Sequence, residues 1–474
     1  MTLNLQEVAR AIGADSHLPP LEITGWSVDT RTQNPGDVYF ALRGPNHDGH
    51  DFLAAAAEKG ASAVVVGQAS RPVQVGQALS PANPPGGSEL RSDWQAEACP
   101  TELLVPDTER ALQDLAAWAR QKWGGRIVAV TGSAGKTTSK DAIAHLLETA
   151  FPVVGKTNGN FNNHVGVPLS LLRLPDACGV GVIEIGMNHA GEIRRLAAIA
   201  KPNVGVVTNV GYAHVQFFDS IEGIAAAKRE LIEGLPPDGV AVLNADDPRV
   251  AAFRQVHPGR TVTFGFSEAA DVRAENMEQG AAGSSFRALG VDFESAMSGR
   301  HAVMNLLAAI AVAHVFGIAA ERLRPAVVSF TVGNMRGQRT LHQGIVVWND
   351  CYNSNPEAAQ SMLDVLAETP AARRIAVLGE MLELGLSSDE LHRQVGQYAG
   401  RYAAGRRVDL LIGVAGAARA MVEAARQAGV EAEFFDDPAD AGECARQMAR
   451  PGDAVLFKGS RGVKMEKALE RFTA

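Results

Sequence analysis

The stretch Ile127-Val-Ala-Val130 followed by Thr131-Gly-Ser-Ala-Gly-Lys-Thr-Thr138 decides how the chain is read. Four apolar residues in a row make a short buried strand, the glycines break the run, and a helical segment then continues through Ala150. Strand, Gly-rich turn and helix in that order, with a G-K-T ending, match the phosphate-binding loop of nucleotide-binding proteins. Val130 stands where the general pattern has its first glycine, which leaves a plain Gly-rich turn as the alternative. In a phosphate loop, the backbone N–H groups of Gly132, Ser133, Ala134 and Gly135 approach phosphate oxygens at a helix N-terminus. Lys136 neutralises them, and the Thr137 hydroxyl, beside Thr138, can hold magnesium. The expected ligand is ATP with Mg²⁺.

Outward from that stretch the pattern repeats. Val180-Gly-Val-Ile-Glu184 leads into a Gly-rich turn and a helix; Val204-Gly-Val-Val207 leads into Thr208-Asn-Val-Gly-Tyr-Ala-His214 and a helix that contains Ala225 to Leu231. Continuous apolar strands alternating with helices are βαβ units of a parallel sheet. Residues 271–298 turn polar and Gly-rich like a hairpin excursion, and an apolar helix follows over 301–315. After Arg336 the alternation resumes with strands at IVVW, RIAVL, VDLLIG and DAVLF.

The fold expected is α/β in three domains: a small N-terminal α/β domain over 1–106, a central parallel-sheet domain of the P-loop ATPase type over 107–328, and a C-terminal Rossmann-like domain over 329–474. Within the first, about 68–100 is rich in Pro, Gly, Ser and Gln without periodicity and reads as a surface insertion. In open α/β sheets ligands bind beyond the carboxyl ends of the strands, where the polar clusters fall here.

Composition narrows the function. The 474 residues carry Lys+Arg 44 against Asp+Glu 53, a net charge of −9, which argues against a nucleic-acid-binding face. The four cysteines, Cys99, Cys178, Cys351 and Cys444, form no C-x-x-C, so a reducing, cytoplasmic setting is expected. The opening MTLNLQEVARAIGAD lacks the pattern of a signal peptide. The most membrane-like run, 301–320, is broken by Asn305 and His314 and reads as a buried helix rather than a membrane span.

Several residues admit two readings. Glu184 sits in an apolar strand, where a carboxylate needs a cation: a Lys or Arg, or magnesium on the nucleotide. His214 is a core histidine or a ligand. Lys228, in Ala225-Ala-Ala-Lys-Arg-Glu230, is on its face a solvated helix lysine. Asn160, Asn162 and Asn163 either make their own turns or line a cleft. Asn305 is a helix-packing amide by default. Lys458, Ser460 and Arg461, after the last strand, are either a helix-start turn with solvated charges or an anion site.

Together these segments resemble the Mur ligases, ATP-dependent enzymes that extend the peptide stem of peptidoglycan precursors. The series comprises TGSAGKTT, the segment from Glu184, TNVGYAH, AAAKRE, GRHAVMN, Arg336-Gly, NDCYNSNP, GEMLELG and KGSRGVKME, nearly the whole chain. Ala302 departs from the pattern, since many members have a second Asn there. YNSNP, LGEMLELG and KGSR, with the N-terminal SVDTR around Ser27, Thr30 and Arg31, resemble most the MurF type, which joins D-alanyl-D-alanine to UDP-N-acetylmuramoyl-tripeptide. A MurE-type ligase or a related amino-acid ligase is the alternative within enzymes; a nucleotide-binding module without ligase activity is the one outside them.

The resemblance implies residue roles. Lys228 would become a carbamate and, with Glu184, His214 and Thr137, hold two Mg²⁺. Asn305 would reach adenine, Arg336 phosphate and Asp350 the ribose. Ser27, Thr30 and Arg31 would bind the uridine nucleotide; Asn160, Asn162, Asn163 and Asn353 would contact the precursor; Lys458, Ser460 and Arg461 would receive the dipeptide. Lys136, Lys228, His214 and Glu184 would be catalytic. A monomer is expected, with no nucleic acid and no membrane insertion.

Overall fold

In the N-terminal part, four short strands form a parallel sheet in the order Gly25–Ser27, Asp37–Phe40, Ala63–Gly67, Thr101–Val105. The inner strands are buried on both faces and mostly apolar, with Asp37 the buried charged residue among them. At the edge, Leu103 and Val105 point inward while Glu102 and Leu104 are exposed, the two-residue alternation of a half-covered strand. The helix Thr108–Trp123 is capped by the Asp107 side chain, which accepts from Arg110 N–H. Its Leu112, Leu115, Ala116 and Ala119 recur on one buried face.

The computed structural model describes residues 2–14, 18, 21–68, 100–280, 283–401 and 408–474. The insertion expected at about 68–100 falls, for residues 69–99, outside the described residues, and so does Cys99. The chain divides into two compact units: Met1–Gly125 with Phe161–Cys178 and Ala198–Ala200, and Arg126–Asn160 with Gly179–Ala197 and Lys201–Ala474.

The second unit holds three sheets. The first has seven parallel strands in the order Val272–Arg273, Arg260–Gly265, Val240–Asn244, Val204–Val207, Arg126–Thr131, Val180–Glu184, Val154–Lys156. The strand leading into the glycine loop lies between those ending at Val207 and Glu184, so their carboxyl ends share one edge. The helix Lys136–Leu147 packs against Arg300–Val315, which is buried along almost its whole length, as expected for that apolar run. Among the described residues no helix is long and apolar enough to cross a membrane. The excursion near 271–298 forms the three-stranded antiparallel sheet Glu275–Gly280, Gly283–Ala288, Val291–Ser295.

The C-terminal sheet runs Gln338–His342, Ile345–Asp350, Ala454–Lys458, Arg374–Gly379, Leu410–Val414, Glu431–Phe435, antiparallel only at its first strand. The four strands expected after Arg336 are all present. The helix after the glycine loop stops at Leu147, and the remaining residues to Ala150 close as turns onto Leu146 and Leu147 carbonyls.

Candidate active site

The glycine loop is shaped from behind by the strand-following segment 208–211. Asn209 Oδ1 accepts from Ser133 N–H at 3.1 Å and Ala134 N–H at 2.8 Å, and its Nδ2 donates to Ala134 O at 3.0 Å. Thr208 Oγ1 donates to the same carbonyl at 2.7 Å. Ser133 Oγ exchanges hydrogen bonds with Gly211, donating to its carbonyl at 2.9 Å and accepting from its N–H at 2.8 Å. Gly135 has φ 77°, and a Cβ there would collide with Asn305 Oδ1. Asn305 also accepts from Ser139 Oγ at 3.0 Å, so the amide braces the first turn of the loop helix. No side chain caps that helix, and its leading N–H groups face the loop mouth.

Lys136 is partly buried and folds back on the loop, donating to Gly132 O at 2.8 Å. Burial lowers its pKa; Glu184 opposes that shift and Arg336 adds to it, so both charges lie near it. Arg336 stacks over the Tyr352 ring, 3.8 Å from its centroid. Glu184 is buried at the end of its strand and its N–H donates to Thr157 Oγ1 at 3.0 Å. Lys140 is also buried, donates to Thr157 O at 2.7 Å and feels Glu184.

Lys228 is 2% exposed on the helix Ile221–Glu233, which overturns the solvated reading that composition favours. Burial, reinforced by the Lys136 ammonium, holds its amine well below the ordinary lysine range. Among the described residues it has no hydrogen bond or ion pair. His214 has left-handed backbone, φ 62°, and its Nδ1 lies 2.5 Å from Glu383 Oε2, an ion-pair contact without the alignment of a hydrogen bond. Next to it, Tyr212 N–H donates to Glu357 Oε1 at 3.0 Å; burial, with Asp247 nearby, raises the pKa of that carboxyl.

Asp350 and Lys458 meet. They are register partners on adjacent parallel strands, and Lys458 Nζ donates to Asp350 Oδ2 at 2.6 Å and to Asn353 O at 2.8 Å. Lys458 and Ser460 are buried, so the solvated-turn reading fails for both. Ser460 Oγ accepts from Leu382 N–H at 2.9 Å. Arg461 is exposed and pairs with Glu466 at 3.0 Å. His301, at the start of the apolar helix, is pushed below the usual imidazole range by burial, with Asp350 acting against the shift and Lys458 with it.

Asn353 and Asn160 are exposed. Asn163 makes a turn of its own, its Oδ1 accepting from Gly166 N–H at 2.8 Å. In the N-terminal unit Ser27 is buried and donates to Asp29 O at 3.0 Å, Thr30 accepts from Lys59, and the exposed Arg31 pairs with Asp29 at 2.6 Å. Arg31 holds the Asp29 carboxyl below its ordinary range.

Among the described residues no three of His, Cys, Asp and Glu gather into a ready cation site. Glu184, buried close to the phosphate-loop lysine, and the Thr137 hydroxyl still fit magnesium carried in on a nucleotide, which takes only one or two protein carboxylates. Asn209, Thr208, Lys140 and His301 were not singled out from sequence. Only the placement of Thr208 and Asn209 directly after a strand pointed to them.

Three family models match: "Mur ligase family, catalytic domain" over residues 22–117, "Mur ligase middle domain" over 130–313, and "Mur ligase, glutamate ligase domain" over 335–461. The chain belongs to the Mur ligase family. It is 32% identical over 473 residues to the UDP-N-acetylmuramoyl-tripeptide--D-alanyl-D-alanine ligase of Bacillus subtilis (strain 168), covering 98% of this chain and 97% of that one. Among solved structures, MurF from Acinetobacter baumannii matches with a TM-score of 0.86 at 27% identity, covering 100% of this chain and 99% of that one. MurF ligase from Thermotoga maritima in complex with ADP matches with a TM-score of 0.77 at 27% identity over 95% of this chain and 97% of that one. The three-domain α/β architecture expected from sequence is therefore that of a Mur ligase.

Proposed function

We propose that this Mur ligase joins D-alanyl-D-alanine to UDP-N-acetylmuramoyl-tripeptide at the expense of ATP, as the MurF type does, in a reducing cytoplasm. The observation that carries the reading is the buried Lys228 beside a strand-anchored phosphate loop, within a chain matched end to end by ligases so named. A nucleotide-binding module has no use for a buried lysine whose amine is pushed well below its ordinary range.

In the reaction, the terminal carboxylate of the tripeptide attacks the γ-phosphorus, the bond to ADP breaks, and an acyl phosphate forms. The dipeptide amine then attacks the acyl carbon, phosphate leaves, and the nitrogen loses a proton. Lys136 steadies the phosphate charge in the first step, with Arg336 adding a second cation. Magnesium, when bound, neutralises phosphate oxygens so that two anions can meet. Thr137, Glu184, His214 and Lys228 would hold it, and His214 must then leave Glu383.

Lys228 meets this need only once modified. The ammonium first gives up a proton; the neutral amine then attacks CO₂, an N–C bond forms as a C=O π bond opens onto oxygen, the nitrogen releases a second proton, and an anionic carbamate results. Its lowered pKa favours the neutral amine. Asn305 faces adenine and Asp350 the ribose, held by Lys458. Ser27, Thr30 and Arg31 bind the uridine end, and Asn160, Asn162, Asn163 and Asn353 the precursor. Of the C-terminal trio, exposed Arg461 meets the dipeptide carboxylate, while Lys458 and Ser460 shape the turn that presents it.

Phosphate release measured with each substrate omitted in turn tests the reading. Release should require ATP, the UDP-tripeptide and D-alanyl-D-alanine together. Release that ignores the dipeptide, or that is stimulated instead by a free amino acid and a dipeptide precursor, would overturn it.

A further inference from the structure

The phosphate loop is held by a side chain outside it. Asn209 uses its whole amide: Oδ1 takes the N–H groups of both Ser133 and Ala134, and Nδ2 returns a hydrogen bond to Ala134 O. Its own carbonyl also accepts from Ser133 N–H at 3.0 Å. Beside the hydrogen bonds from Thr208 and Gly211, this one residue at the exit of the neighbouring strand holds two of the loop's N–H groups and one of its carbonyls before any nucleotide arrives.

This arrangement divides the loop's donors. The N–H groups of Ser133 and Ala134 are already committed to a protein oxygen. The donors that remain at the helix start, from Gly135 onward, have no side-chain cap and are the ones that can meet a phosphate. A loop without that brace must be ordered by the ligand, and the ordering free energy is then subtracted from binding.

We propose that Asn209 is a positioning residue for ATP: its amide sets the phosphate loop in its binding shape and itself stays off the substrate. The inference rests on the ligase reading above and adds to it which residue preorganises the nucleotide site.

The charge of the replacement separates this role from simple packing. Asn209→Ala loses all three amide hydrogen bonds, whereas Asn209→Asp keeps the acceptor but loses the donor to Ala134 O and places an anion behind the site of the phosphates. Asn209→Ala should raise the KM for ATP about tenfold with kcat and the KM values for the other two substrates within about twofold. Asn209→Asp should raise it further, and added salt should narrow the gap between the two variants. Nucleotide affinity measured by calorimetry with ADP alone should follow the same order, and circular dichroism should show both variants folded.

Equal KM values for ATP in all three proteins, or losses spread evenly over ATP, precursor and dipeptide, would overturn the assignment. If wild-type enzyme turns over no ATP with precursor and dipeptide, the ligase reading itself has failed; the ADP titration then still decides the role of Asn209.

Discussion

Lys228 joins chemistry to stability. A buried ammonium with no hydrogen bond or ion pair among the described residues destabilises the fold, so Lys228→Met in bicarbonate-free buffer should raise stability by about 1–3 kcal/mol while abolishing ligation. The sign of the pH dependence follows from the depressed amine. Between its folded-state value and the ordinary 10.5, the unfolded chain binds the extra proton, so wild-type stability rises with pH through that window and Lys228→Met flattens the rise. Thermal melts from pH 7 to 10 check it; parallel curves for the two proteins would contradict it. Lys228→Ala should lose nearly all activity, and short carboxylates with bicarbonate should restore part of it. With ¹³C-labelled bicarbonate, wild type should show a carbamate carbon resonance absent from the alanine variant.

At the level of elements, the loop glycine is the sharpest test. Gly135→Ala combines left-handed backbone with a clash against Asn305, at a cost of about 1–3 kcal/mol, and should cut ATP turnover by at least tenfold. Asn305→Ala should partly relieve the clash in the double variant, because the colliding atom is then gone; steady-state kinetics of the three variants reads this directly.

What the sequence made legible follows the same division. The strand, turn and helix around Lys136 could be read because apolar runs and glycines are local signals. The strands Val240–Asn244 and Arg260–Gly265 were not singled out, since Val240-Ala-Val-Leu-Asn lies among turn-forming Asp and Gly, and Arg260–Gly265 alternates polar and apolar. The Asp350–Lys458 pair was beyond reach: 108 positions separate the two residues, and only strand register brings them together. Lys228 showed the opposite limit. A helix with alanines before it and charges after it gives no local sign of which face is covered, so burial had to come from the fold.

Across the whole molecule, the roles proposed for uridine binding and phosphate binding fall in different compact units, with Ser27, Thr30 and Arg31 in one and Lys136 in the other. Lys136→Ala should therefore reduce ATP turnover by about a thousandfold and leave UDP-precursor affinity within about twofold. Calorimetric titration with the precursor checks this; joint loss of both would show that the two sites are not separable.

The central claim is the identity of the bond made. Purified enzyme incubated with UDP-N-acetylmuramoyl-tripeptide, D-alanyl-D-alanine, ATP and Mg²⁺ should give, by mass spectrometry, a nucleotide product equal to the two substrates less one water, with ADP and phosphate formed in equal amounts. ADP without that product, or a product carrying a single amino acid in place of the dipeptide, would contradict it.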